Sequence, residues 1–251
     1  MANLRLLSGG ETILAVGAAG VAGERSRHWS YDGISGPSHW ATLDAKYIAC
    51  AARSQSPIEI RARDVRTTAL PALAFHYHPV PLRIVDNGHT VQVNYDAGSW
   101  LEAGDTRYEL VQFHFHRPSE EVIDGQRFAM VAHLVHRDAQ GHIGVVAVPL
   151  SLGADDFSLK ILWENLPKVK GAEVTRTDVK IDAESLLPAS LGYYAYAGSL
   201  TMPPCSEGVR WMVLKTPSLI SQREVEIFAA RYPNNARPLQ PRNGREILSS
   251  D

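Results

Sequence analysis

His114 and His116 stand two residues apart in Gln112-Phe113-His114-Phe115-His116, and His133 follows beyond an Asp124-Gly125 pair. On a strand, that spacing puts both imidazoles on one face and sends Phe113 and Phe115 to the other. Asp-Gly between two extended runs predicts a two-residue hairpin. Direct pairing outward from Ile123 opposite Gln126 then sets His116 opposite His133 and His114 opposite Val135, on one shared face. Three neutral imidazoles converging from a sheet, with no fourth protein ligand within reach by sequence, describe an open tetrahedral zinc site. Pro118 cannot donate to a ladder and marks a place where a bulge would slip the register. His76 and His78 repeat the two-residue spacing without a third histidine opposite them, and read as an ordinary strand face.

The elements that must carry these residues are mostly strands. From Leu73 onward the apolar alternation predicts strands over Leu73–His78, Leu82–Asp86, Thr90–Tyr95, Arg107–His116, Phe128–His136 and Ile143–Leu150. Tyr193–Ser199 and Val209–Lys215 follow, divided by Leu200-Thr201-Met202-Pro203-Pro204, which its prolines hold extended. Asn87-Gly88 predicts a second hairpin. Helices are expected over Trp40–Cys50, Asp155–Leu166 and Ser218–Arg231, the last with Ser221 as N-cap and Glu224 completing a capping box. No repeat or linker divides the chain, so one sheet-dominated domain over 24–251 is expected.

Composition narrows the function. With 251 residues, 45% of them hydrophobic, and a formal charge of −2, the chain can bury a substantial core and has no bulk attraction for nucleic acid or anionic membrane. Arg5 precedes an apolar, small-residue stretch, Thr12–Gly23, that predicts a secretory signal with cleavage near Gly20–Gly23. Glu11 and Gly9-Gly10 leave a plain N-terminal extension as the alternative reading of residues 1–23. That stretch is too short and glycine-rich to span a bilayer. Cys50 and Cys205 are either two buried thiols or, in an oxidising compartment, a bond worth roughly 4–5 kcal/mol in the chain-entropy model. Export and a disulfide support each other, which points to a periplasmic or secreted protein.

Taken together, several stretches resemble the α-class carbonic anhydrases, particularly exported bacterial ones. They are His28-Trp29-Ser30-Tyr31, Gln55-Ser56-Pro57-Ile58, Asn87-Gly88-His89, Gln112–His116, Pro118-Ser119-Glu120, His133–His136, Leu200–Gly208, Trp211–Lys215 and Asn235-Ala236-Arg237-Pro238. The resemblance implies a mainly β fold with short helices, built on a central twisted, mixed but largely antiparallel sheet of about ten strands. It implies Zn2+ as cofactor, CO2 and bicarbonate as substrates, and zinc-bound hydroxide as the nucleophile. Carbonic anhydrases are themselves the standard example of catalytic three-histidine zinc, in which water's pKa falls from about 15.7 to about 7.

By the same resemblance His114, His116 and His133 are the zinc ligands, with Gln112 accepting a hydrogen bond from His114. Thr201 orients the nucleophile and passes its own hydrogen to Glu120. Val135, Val145, Leu200, Val209 and Trp211 form the apolar wall beside the metal, and His89 shuttles protons, as an imidazole titrating near 6.5 can. Cys50 and Cys205 are expected to be bonded, anchoring the loop that carries Thr201. Four positions depart from the family pattern. Val131 replaces a glutamate that receives a hydrogen bond from the third ligand, so His133 is expected to use a main-chain carbonyl or water instead. Met202 replaces a hydroxyl residue and Ala197 a proline, while Glu121 looks like a tolerated neighbour of Glu120.

Two rival readings share these residues. A silent, anhydrase-like binding domain usually lacks a ligand histidine, and this chain keeps all three. A zinc esterase would use the same nucleophile. Partners are otherwise expected to be few: no nucleic acid, no membrane insertion of the mature domain, and room for a homodimer.

Overall fold

Valine, isoleucine and aromatic residues at alternate positions drive most of this chain into extended backbone, where branched side chains pack well on a pleated surface. The computed structural model describes residues 28–153 and 159–250, so the expected export segment and the start of the helix expected from Asp155 lie outside the described residues. Ten strands form a continuous path: β1 Val65–Thr67, β2 Val80–Asp86, β3 Val91–Asn94, β4 Thr106–His116, β5 Met130–Arg137, β6 Ile143–Leu152, β7 Glu173–Ile181, β8 Tyr193–Ser199, β9 Glu207–Leu214 and β10 Ile247–Ser249. Their spatial order is β7-β2-β3-β4-β5-β6-β9-β8-β10-β1, and Leu73–His76, Trp100–Ala103 and Ser218–Ile220 attach beside it to make thirteen strands. Pairing along the path is antiparallel except at β6–β9 and β10–β1. The mainly β, mixed and largely antiparallel sheet expected from the sequence is the one observed.

The centre of this sheet is covered on both faces, which is why β5 and β6 read as near-continuous apolar runs. Phe113, Phe115, Met130, Ala132, Leu134, Val146, Val148 and Met212 point into the larger core, which Phe228 of the helix Gln222–Ala229 helps to close. Their neighbours Val131, Val145, Ala147, Val209, Trp211 and Val213 point the other way into a second apolar cluster with Ile58 and Ile60. The site histidines share that second face.

Strand β7 was not legible from pattern. It ends the path with β2 as its one neighbour there, and most of its residues are exposed, so no apolar face was needed. Helices are shorter than expected. Trp40–Leu43 is a single α-turn followed by a 3-10 stretch, Ala45–Ala51, whose entry Asp44 caps by accepting from Lys46 N. Of the stretch expected from Asp155, the described helix is Lys160–Glu164. Gln222–Ala229 carries the expected Ser221–Glu224 capping box, whereas Ser218–Ile220 is a strand parallel to β6.

The Asp124-Gly125 hairpin forms, both residues taking positive φ (48° and 79°) as a tight two-residue turn requires. Direct pairing survives only next to the turn, with Ile123 opposite Gln126 and Val122 opposite Arg127. Beyond it, Ser119 N donates to Phe128 O at 3.2 Å, and farther along His133 faces His114 while His116 faces Val131. The expected pairing of His116 with His133 is therefore corrected by two residues. The excess lies between Ser119 and Val122, where Glu120 and Glu121 have no counterparts between Phe128 and Arg127. An even slip preserves the face, so the histidines remain together.

Buried His136, on β5, lies with Nε2 2.7 Å from Tyr77 Oη, and burial lowers its pKa from the usual 6.5 to about 4. Because the unfolded chain takes up this proton at higher pH, the contribution to stability is complete above pH 6.5 and is lost as pH falls toward 4. Denaturant midpoints should drop across that window, and His136→Phe should flatten the drop; a variant with the wild-type slope would contradict this.

Candidate metal centre

Each of the three histidines spends one ring nitrogen on a protein acceptor. His114 Nδ1 lies 2.8 Å from Gln112 Oε1, on the same face of β4. His116 Nδ1 lies 2.7 Å from the Asn235 carbonyl, and His133 Nε2 lies 2.9 Å from Glu121 Oε1. Each ring thus keeps its other nitrogen: Nε2 of His114, Nε2 of His116 and Nδ1 of His133. The three residues offer donor atoms within 4.8 Å of one another and, among the described residues, form the one cluster of this kind.

His116 Nε2 is buried with no hydrogen-bond partner, an orphan that a metal would satisfy. Burial keeps all three imidazoles well below their usual pKa, and His114 is lowered further by its two neighbours. Neutral rings are the ligating form. The donor set therefore fits a zinc ion with three protein ligands and an open position. His76, by contrast, stacks on Trp100 at 4.8 Å, away from this cluster.

Glu121 corrects the expectation that His133 would turn to a carbonyl or water. Its carboxylate meets His133 directly, and both side chains are about 1% exposed. Val131 sits in the apolar cluster instead. Glu120, fully buried, accepts from Arg237 N at 2.7 Å through Oε1, while Oε2 has no hydrogen bond of good geometry. Burial and the neighbouring Glu121 raise the pKa of Glu120, and the Arg237 amide and Thr201 hydroxyl draw it back.

A cleft of about 150 Å³ opens onto the cluster, lined by Gln112, His114, His133, Thr201 and the apolar Val135, Val145, Leu200, Met202, Pro203 and Trp211. Val209 is not in that lining; it packs behind, in the apolar cluster around Trp211. The Trp211 indole donates to Ser199 O at 3.0 Å and meets the His133 ring edge-on at 4.9 Å. The loop after β8 is tied back by Leu200 N to Ser206 O at 3.0 Å and by the Cys50–Cys205 disulfide. A side chain could not replace Gly198 here, since a Cβ would fall 2.1 Å from Ser56 Oγ, which accepts from Ser199 N.

His89 is carried by the Asn87-Gly88 turn, where Asn87 Oδ1 accepts from the amides of His89 and Thr90 at 3.0 Å. Its ring stacks flat on Trp29 at 3.5 Å, with His28 4.8 Å away. Burial there, with His28 and Lys170 nearby, lowers its pKa to about 4, in contrast to the unperturbed value expected.

Two residues without an assigned role prove central. Asn235, fully buried, accepts from His116 through its carbonyl and from Arg117 N through Oδ1, and its amide donates to His89 O and Phe115 O. Arg237 donates to Gln55 Oε1, Ser56 O and Cys50 O while its amide holds Glu120. Both lie more than a hundred residues from the histidines in sequence, where no local periodicity connects them.

The family model described as eukaryotic-type carbonic anhydrase matches residues 35–251. A curated carbonic anhydrase from Nostoc sp. is 40% identical over 227 residues, covering 89% of this chain and 86% of its own. The solved α-carbonic anhydrase of Thermovibrio ammonificans, in complex with the inhibitor sulfanilamide, superposes with a TM-score of 0.85 at 38% identity, covering 88% of this chain and 98% of that one. A dioscorin solved with ascorbate is also similar, with a TM-score of 0.82 at 31% identity over 88% of this chain and 97% of its own.

Proposed function

The chain belongs to the eukaryotic-type, or α, carbonic anhydrase family, and from that premise we propose that it hydrates CO2 reversibly to bicarbonate and a proton at a zinc ion held by His114, His116 and His133. The observation that carries the proposal is the convergence of three imidazoles whose second nitrogens all have protein acceptors. Zinc, when bound, supplies the Lewis acidity that makes water a nucleophile near neutral pH, a property for which this family is the standard example.

The chain's own residues supply position. Gln112 and the Asn235 carbonyl fix which nitrogen of His114 and of His116 faces the centre. Glu120 takes the Thr201 hydroxyl proton as a hydrogen bond, which leaves Thr201 Oγ1 to accept from the attacking water and turn its lone pair toward carbon. Val135, Val145, Leu200 and Trp211 hold CO2 beside the centre and exclude polar competitors, and Met202 extends that apolar surface. The disulfide, and the lack among described residues of any helix long and apolar enough to cross a membrane, fit an exported protein; a periplasmic or secreted location is part of the proposal.

Stopped-flow CO2 hydration, with and without a zinc chelator and with metal content measured, tests the reading. Activity that follows zinc supports it. Stoichiometric zinc without CO2 hydration would favour a binding domain, and greater efficiency on an aryl ester would favour an esterase.

His89 is the proposed proton carrier, although its stacked position disfavours the charged ring. Relay near neutrality requires the ring to leave Trp29, since an imidazole with a pKa of about 4 takes up few protons at pH 7. His89→Ala should slow turnover several-fold in dilute buffer, with recovery on adding imidazole. Turnover indifferent to both changes would remove His89 from the role.

A further inference from the structure

Between Ser119 and Val122 the chain holds two residues more than its partner segment, and both are glutamates. The excess is firmly held. Ser119 Oγ donates to Glu121 O at 2.8 Å and accepts from Phe128 N at 2.9 Å, and Arg127 donates to Ser119 O at 2.7 Å. A single insertion thus turns two carboxylates inward, one toward Arg237 and Thr201, the other toward His133.

We infer that Glu121 is the positioning residue for His133, setting its tautomer and aim from the hairpin rather than from His133's own strand. The inference rests on the reading of His114, His116 and His133 as a metal site. Of the strand neighbours on His133's face, Val131 and Val135 have no acceptor to offer through their side chains, and the main chain of β5 is engaged in its ladders. Glu121 Oε1, at 2.9 Å, is the acceptor present. A carboxylate on Nε2–H keeps Nδ1 bare and pointed at the centre, and it makes the ring a stronger donor to a cation. Glu121 touches neither substrate nor metal in this role. Because its support reaches His133 from a turn, the geometry of the third ligand depends on the hairpin insertion, which neither His114 nor His116 requires.

The test uses zinc-loaded protein and excess dipicolinate as chelator. Glu121→Ala should release zinc about 10–100-fold faster than wild type, while Glu121→Gln, whose amide oxygen can still accept, should restore most of the retention. Nitrogen NMR of the metal-free wild type should show His133 as the Nε2–H tautomer, and in Glu121→Ala as a mixture. Zinc release from a folded Glu121→Ala protein at the wild-type rate would overturn the inference. So would a wild-type His133 carrying its proton on Nδ1, a measurement that needs no variant to fold. Wild-type protein that retains no zinc would instead remove the metal site itself, and the inference with it.

Discussion

Replacing His133 with alanine is expected to strip the protein of zinc and of CO2 hydration together while leaving the sheet intact. The ring is buried on the same face as His114, directly across the ladder from it, so its loss leaves two imidazoles from one strand. Two ligands on a single strand do not enclose a cation in a tetrahedral frame. The substitution also leaves Glu121 buried with neither oxygen bonded, since Oε2 already lacks a partner, and a carboxylate so placed takes up a proton rather than remain charged. Retention should therefore fall by more than the roughly 10–100-fold expected for losing a supporting residue alone. Metal analysis and stopped-flow hydration on the same preparation, with circular dichroism to verify the fold, give the answer. A zinc-free variant with full activity would separate the reaction from the metal, and a variant with full zinc would show that His133 is no ligand.

What sequence alone could reveal of this site follows the range of the interactions. The two-residue spacing of His114 and His116 fixes their shared face wherever β4 lies, and Asp124-Gly125 brings His133 back alongside. Those are local rules, and they held even though the pairing slipped, because two extra residues preserve alternation. The slip itself was not legible. Pro118 marks the region, but nothing local says that Glu120 and Glu121 both turn inward, so from sequence Glu121 reads as a neutral neighbour and Val131 as a lost support. The environment of His89 was hidden for a similar reason. Burial, with His28 and Lys170 nearby, lowers its pKa, and its ring stacks on Trp29, which is sixty residues away and shares no strand with it. Asn235 and Arg237 are farther still, and their roles depend on main-chain atoms whose positions no residue type encodes.

Removing the disulfide should produce a large loss of stability. Cys50 and Cys205 are 155 residues apart, a loop for which the chain-entropy model gives about 5 kcal/mol, at the top of the range usually measured. The bond closes a small cluster with Trp29, Trp40 and Tyr47, separate from both faces of the sheet, so little other apolar contact ties this corner down. Cys50→Ala with Cys205→Ala should lower the unfolding free energy by roughly 2–5 kcal/mol, read from urea midpoints. Activity should fall too. Cys205 lies four residues after Thr201 in a loop whose remaining ties include Cys205 N to Met202 O at 2.9 Å and Gln55 Nε2 to Cys205 O at 3.1 Å. Without the bond, those contacts and the Leu200 N to Ser206 O hydrogen bond are left to hold the loop that carries Thr201, and in the proposed mechanism Thr201 orients the attacking water. Zinc retention is expected to have no such dependence, because the acceptors of the three histidines, Gln112, Asn235 and Glu121, lie on other segments. The double variant is therefore expected to keep its metal, melt earlier and turn over more slowly. An unchanged urea midpoint would show that the cluster and the Arg237 hydrogen bonds suffice, and equal losses of zinc and turnover would show that the loop supports the ligands as well as Thr201.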